Sequence, residues 1–402
     1  MSYKALTNAL SLCALIFVST TVLAIDGELG FEGRVFANEG LFGQDQVSDS
    51  IRLQPEHVAV LGDGEHTIEF TGFLRLDSLD DERSHFDLRE LSWSYAGDNW
   101  ESLVGVSKVY WGVTEYQSLV DIINQTDLVD NSDGQTKLGQ VMVRLSTDQP
   151  WGGLEFFWLP HHRERTFSGE EGRQRLGLDI DRSDVVYESG AEQTRNDFAL
   201  RYSYYWDQLE VALAHFSGTS REPFLIFNGD FNAPALVALY PVIDQSSIEL
   251  QYVGDTWLLK LEAISRSGFD DRYTAATFGF EYTQVGFWGS ESDLVWISEY
   301  LFDDRKKDST TLFAQGLFIG GRLAANDANA SVVQAGFIYD PRTKETLFSL
   351  EADRRLSNDW SIVLESRVFT GANVANASSD LDSKTVILQD EDYFSVELVR
   401  FF

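Results

Sequence analysis

The chain has 402 residues, with 64 Asp and Glu against 31 Lys and Arg, for a formal net charge of -33. An acidic excess of that size excludes nucleic acid, whose phosphates demand a basic surface. A 43% hydrophobic and 13% aromatic content excludes a disordered acidic chain.

Residues 1–24 open with Lys4, continue through an apolar run from Ala9 to Val18 and end on Val22-Leu23-Ala24. This pattern predicts a Sec-type signal peptide cleaved after Ala24, too short for a membrane anchor. Its removal takes away the only thiol, Cys13, so residues 25–402 can form neither disulfides nor Cys-ligated metal sites.

From there on, alternation recurs. Phe198, Leu200, Tyr202, Tyr204 and Trp206 share one parity, opposite Ala199, Arg201 and Ser203; Trp257, Leu259, Leu261 and Ala263 likewise oppose Lys260, Glu262 and Arg266. Period two over about ten residues is a strand with one apolar and one polar face. In chain order such strands fall near 28–37, 51–61, 65–77, 84–96, 100–110, 138–147, 152–160, 196–206, 208–218, 245–253, 256–266, 273–285, 291–302, 310–320, 332–339, 345–355, 360–370 and 391–402. A soluble antiparallel sandwich shows the same alternation. The connections decide between them. One set is mostly tight, whereas the other includes 111–137, 161–195, 219–244 and 371–390. Trp100, Trp151, Trp206, Trp257, Trp288 and Trp360 all sit at or beside the tight set, as at a membrane interface. The expected fold is therefore all-β: a closed antiparallel transmembrane barrel of about 18 strands, 16 being the alternative, with short periplasmic turns and long extracellular loops.

The connection 111–137 carries Glu115, Asp121, Asp127, Asp130 and Asp133, and Leu119, Val120, Ile122 and Ile123 fit a short amphipathic helix. The inward parity supplies Arg75, Arg144, Arg201, Lys260, Arg266, Arg355 and Arg367, with Glu69, Glu249, Glu262, Glu281, Glu351 and Glu365. Acids on a lumen-folded loop facing wall bases would screen permeants by charge and dipole. The alternative is that these side chains pair with one another and fill a closed lumen.

Farther on, His161, His162, Arg163, Arg165, Arg173, Arg175 and Arg182 form a basic cluster suited to anionic solutes, balanced by Glu170, Glu171, Asp179 and Asp181. Two adjacent histidines make no metal site without a third ligand. The acid runs Asp77 to Glu82 and Asp303-Asp304 are compatible with Ca²⁺ or Mg²⁺, or simply with hydrated loop surface. No other cofactor is implied. An outer-membrane lipid hydrolase would need a histidine beside a nucleophile; none of the six His lies in a recognisable nucleophile motif, and His215 follows Leu209, Val211 and Leu213 on the outward parity.

The last strand reads Asp-Tyr-Phe-Ser-Val-Glu-Leu-Val-Arg-Phe-Phe, with Phe394, Val396, Leu398 and Phe402 on one face. It resembles the C-terminal signal that the barrel assembly machinery reads, with Arg400 where an apolar residue is usual. The stretches Val109 to Glu115, Leu119 to Asp127, Lys137 to Gln140, Phe216 to Pro223 and Glu299 to Arg305 resemble a family of outer-membrane proteins of Gram-negative bacteria that has no assigned substrate. More loosely the chain is similar to porins and to the 18-stranded alginate exporter, from whose basic lumen its mixed wall charge departs. The resemblance implies a barrel in the outer membrane, contacting lipid and lipopolysaccharide, as a monomer or a trimer. The expectation is a diffusion channel for small hydrophilic or charged solutes. Export of an anionic polysaccharide and lipid hydrolysis are the alternatives.

Overall fold

The computed structural model describes residues 25–131, 133–268, 271–371 and 384–402; the expected signal peptide lies outside them. The alternating segments become strands because each can bury one face inside a closed sheet and turn the other to lipid. In chain order these are β1 Asp26–Phe36, β2 Val47–Leu61, β3 His66–Asp77, β4 Phe86–Ala96, β5 Trp100–Ser107, β6 Gln140–Gln149 and β7 Gly152–Leu159. There follow β8 Ile180–Tyr187, β9 Asp197–Trp206, β10 Leu209–Thr219, β11 Phe224–Phe227, β12 Leu236–Tyr240, β13 Val242–Val253 and β14 Trp257–Ser267. The last seven are β15 Tyr273–Gln284, β16 Asp293–Asp303, β17 Gln315–Ala324, β18 Val332–Tyr339, β19 Thr346–Arg355, β20 Trp360–Thr370 and β21 Tyr393–Phe401.

Leaving aside β8, β11 and β12, the other 18 strands form one antiparallel sheet in which each pairs with the next along the chain. The sheet closes where β1 meets β21, from Glu28 opposite Phe401 to Phe36 opposite Tyr393. Gly27 and Phe402 exchange backbone hydrogen bonds of 3.1 Å, so the terminal aromatic is stitched to the first strand. Closure leaves no strand edge for lipid to meet, the condition a spanning sheet must satisfy. Phe31, Val35, Ile51, Leu74, Leu76 and Phe86 point outward and are exposed, a surface suited to hydrocarbon. The six tryptophans expected at one rim do all lie at the turn rim, five of them exposed.

The strand count settles at 18, with shifted bounds. Residues 310–314, read as strand, belong to the loop before β17, where Ser309 Oγ accepts the Thr311 N–H and Lys384 Nζ bonds the carbonyls of Ser309 and Thr311. Three short strands were not expected. β8, β11 and β12 build a small sheet from two loops, β12 pairing parallel with β8 and antiparallel with β11.

The buried apolar core lies inside the barrel. Val120, Ile122 and Ile123 of the loop at residues 108–139 pack with Met142, Phe157, Ala199, Phe216 and Ile264 of the wall. Over this half of the circumference the loop covers the wall, and the inward parity mixes these apolar residues with buried Glu249, Glu262 and Arg266.

Candidate functional site

The helix expected around Leu119 to Ile123 does not form; the segment is an irregular run of bends. A helix would spend its N–H groups on carbonyls four residues back. Here Glu262 of β14, fully buried, takes them instead. Its Oε1 accepts from Val113 N at 2.7 Å, Thr114 N at 2.9 Å and Thr114 Oγ1 at 2.8 Å. Its Oε2 accepts from Leu119 N at 2.7 Å, Ser118 Oγ at 3.0 Å and Val120 N at 3.3 Å. Glu299 of β16 accepts the N–H groups of Glu115 and Tyr116 at 2.7 and 2.9 Å, and Glu249 of β13 accepts that of Gly112 at 3.2 Å. Three wall carboxylates thus grip one loop by its backbone, and charge-assisted bonds of this kind are the strong ones.

The neck and far limb of the loop are fastened as firmly. Asn124 accepts from Val109 N and donates to the carbonyls of Ser107 and Leu138, tying both ends of the loop together. Asp121 pairs with Lys137. Asp127 is wholly buried between Arg89 at 2.6 Å, His85 at 3.1 Å and Thr166 Oγ1 at 2.8 Å. Burial pushes the Asp127 carboxyl up, but His85 and Arg89 overcome it and hold the group well below the usual carboxylate range. Burial likewise opposes the charged form of His85, and the Asp127 carboxylate outweighs it and raises the imidazole. Asp130 pairs with Arg75 at 2.9 Å, and Arg75 and Arg83 share Glu32 of β1 at 2.5 and 2.7 Å.

The docked loop leaves free space on the opposite side, before β17 to β20. A cavity of about 760 Å³ lies there, bounded by Glu115, Tyr116, Arg165, Phe318, Glu351 and Arg367 among others. At its wall Glu115 meets Lys260 at 2.9 Å and Arg322 at 3.5 Å, and both bases also contact Glu281. Arg367 bridges Glu351 at 2.5 Å and Glu365 at 3.2 Å. The Tyr116 ring stacks on Phe318 at 5.3 Å. Phe318 lies over Gly320 and Gly336, which pair across β17 and β18; a Cβ on Gly320 or Gly336 would come within 2.8 or 2.7 Å of its ring. A smaller cavity of about 180 Å³ adjoins behind the loop tip and shares Tyr116, Asp133, Arg165 and Glu222 with the first.

The remaining candidates are distributed around the wall. Arg201 bonds Glu249 and Glu155 under the loop, with Trp111 beside it. Arg266 contacts Glu222 at 3.2 Å and Gln245 at 2.7 Å. Arg144 lies 3.8 Å from Glu101, Arg355 is exposed near the turn rim, and Glu69 is half-buried on β3. The basic cluster of the connection between β7 and β9 divides among structural tasks. Arg163 pairs with Asp87, Arg173 with Glu391, Arg175 with Asp179 and Arg182 with Glu82, while His162 is buried between Tyr187 and Tyr240. Glu299, Arg89, Arg83 and Arg322 escaped the sequence reading. Glu299 was detectable, since it is an acid set mid-strand between Ile297 and Leu301 on the inward parity.

The acid runs considered for divalent cations are occupied internally. Asp77 holds Arg83, Asp80 accepts the backbone N–H groups of Glu82 and Gly169, and Asp303 holds Arg305. Among the described residues no group of three or more His, Cys, Asp or Glu is placed to hold a metal ion. On the outer wall His215 Nδ1 lies 3.0 Å from Ser246 Oγ, and its Nε2 3.8 Å from Asp244.

No family model matches the sequence, and no curated protein is significantly similar to it. Among solved structures, the chain is similar to a BenF-like porin from Pseudomonas fluorescens Pf-5, with 10% identity, 94% of this chain and 97% of the other covered, and a TM-score of 0.52. The trimer form of OmpT, an outer-membrane protein of Vibrio cholerae, aligns at 8% identity over 94% and 98% of the two chains with a TM-score of 0.46. The first likeness establishes a porin-like barrel fold.

Proposed function

We propose that the protein is an outer-membrane channel through which small hydrophilic or charged solutes diffuse passively, with residues 108–139 as its constriction. The observation that carries this reading is the docking of that loop. Glu262, Glu299 and Glu249 hold it against one half of the wall, and a cavity of about 760 Å³ stays free beside the other half. An 18-stranded sheet encloses more space than wall side chains fill, and here one loop takes up only part of it. In this reading the loop rim faces the exterior, the turn rim faces the periplasm, and export through Sec precedes insertion. Swelling of proteoliposomes in sugars of graded size tests it. The expected result is a swelling rate that falls steeply with solute size; no swelling above protein-free vesicles contradicts it.

One arrangement favours the hydrolase alternative, the outward trio Ser246, His215 and Asp244. Ser246 and His215 face each other across β10 and β13, where any two polar side chains touch. The backbone N–H groups around them are committed to the ladder and cannot serve as oxyanion donors. The channel reading therefore takes precedence, and purified protein is expected to release no fatty acid from phospholipid micelles, with Ser246→Ala indistinguishable from wild type.

A further inference from the structure

Most charges bordering the two cavities are neutralised where they stand: Glu115 by Lys260 and Arg322, Arg367 by Glu351 and Glu365, Arg266 by Glu222, Arg175 by Asp179. Two are not. Arg165 spends its Nε on Gln125 Oε1 at 3.2 Å and its backbone N–H on Tyr240 Oη at 2.8 Å, and among the described residues no carboxylate lies within 4.0 Å of its guanidinium. Asp133 accepts from Asn131 Nδ2 at 3.1 Å and from Gln135 N at 2.8 Å, with no base within 4.0 Å among the described residues. Both residues border the larger and the smaller cavity, so they stand where the two adjoin. Beside them the Tyr116 and Phe318 rings, with Leu312 and Leu347 packed against them, give the larger cavity an apolar flank.

A singly charged solute at this junction gains from one of the two groups and is repelled by the other. An uncharged polar solute leaves both groups without a partner. A solute carrying both charges meets both, and the desolvation of each charge is offset by an oppositely charged contact. We infer that the cavity junction at Arg165 and Asp133 selects compact zwitterions with an apolar side, the chemistry of an aromatic α-amino acid: Arg165 receives the carboxylate, Asp133 the ammonium, and the Tyr116 flank the apolar part. This inference rests on the channel reading and names its solute class.

Three probes of one skeleton test it: L-phenylalanine, phenethylammonium, which lacks the carboxylate, and 3-phenylpropanoate, which lacks the ammonium. Their entry into proteoliposomes is measured for wild type, Arg165→Gln and Asp133→Asn, with single-channel current in KCl recorded for each protein. Wild type is expected to pass phenylalanine roughly tenfold faster than either fragment, the value of one charge-assisted contact. Arg165→Gln should remove the advantage over phenethylammonium, and Asp133→Asn the advantage over 3-phenylpropanoate. A protein that carries KCl current but passes the three probes at equal rates, or in an order the two variants leave unchanged, overturns the zwitterion inference alone. Absence of KCl current overturns the channel reading and the inference with it.

Discussion

Glu262 is the residue whose loss should change the channel most. Its carboxylate is fully buried, receives six hydrogen bonds from residues 113–120, and has no cation within 4.0 Å among the described residues. The loop therefore solvates the charge, and the charge fastens the loop. Of the six donors, the four backbone N–H groups lose their acceptor in Glu262→Ala, whereas the hydroxyls of Thr114 and Ser118 retain the carbonyls of Gln117 and Trp111. A hydrogen bond to a charged group is worth about 1.5–3 kcal/mol, and donors that reach water on release recover much of it. If only two of the four go uncompensated, the docked state loses ~3–6 kcal/mol. A loss of ~4 kcal/mol changes the ratio of docked to released loop by roughly a thousandfold. The apolar contacts of Val120 and Ile123 resist release, and the ladder of the barrel does not depend on it. Single-channel recording of Glu262→Ala should show a larger and noisier conductance than wild type, while heat-modifiable electrophoretic mobility still reports a closed barrel. Glu262→Gln, which keeps one acceptor but turns an amide towards N–H groups, should fall between the two. A folded Glu262→Ala barrel with the wild-type conductance would refute the reasoning.

Burial raises the Asp133 carboxyl to about 6, with Glu365 and Glu351 adding to the shift. The group is charged at pH 7 and neutral at pH 5, so the reversal potential in a KCl gradient should shift towards anions across that interval, and Asp133→Asn should abolish the shift. The raised imidazole of His85 makes its bond to Asp127 an ion pair below the ordinary histidine range; that contribution is lost as pH rises through the raised value. Proteolysis of the loop should accordingly quicken modestly with rising pH, modestly because Arg89 still holds Asp127, and His85→Gln should flatten the dependence. Gly336→Val would drive a side chain into the Phe318 ring and push it into the cavity, so conductance should fall while the sheet stays closed.

The 18 strands were legible because lipid on one side and lumen on the other impose a period of two sustained over about ten residues. The tryptophans fixed the turn rim for the same reason, since indole seeks the interface. The small sheet of β8, β11 and β12 was not legible, because its strands are short and one pairing, Leu236 opposite Ile180, is a parallel contact between distant loops. The expected helix failed for a related cause. Periodicity in Leu119 to Ile123 reports an apolar face packed on the wall, but the backbone conformation is set by a carboxylate on β14. The acids and bases of the site were largely identifiable by parity, their tasks much less so. Asp127 and Asp130 bind the loop to its surroundings and Asp121 ties it to itself through Lys137, whereas Glu115, Asp133 and Arg165 border the larger cavity. That division depends on which part of the wall the loop covers, a tertiary fact.

The acidic excess is placed by the same division. Inside, acids and bases are largely matched in pairs, which leaves few uncompensated charges among the described residues of the lumen. The central claim is that this lumen conducts. Single-channel recording of the wild-type protein in KCl, after heat-modifiable mobility has verified a closed barrel, tests it most directly. Discrete, lasting current steps whose size scales with salt concentration are the predicted result. A verified barrel that inserts into the bilayer and passes no current would contradict it.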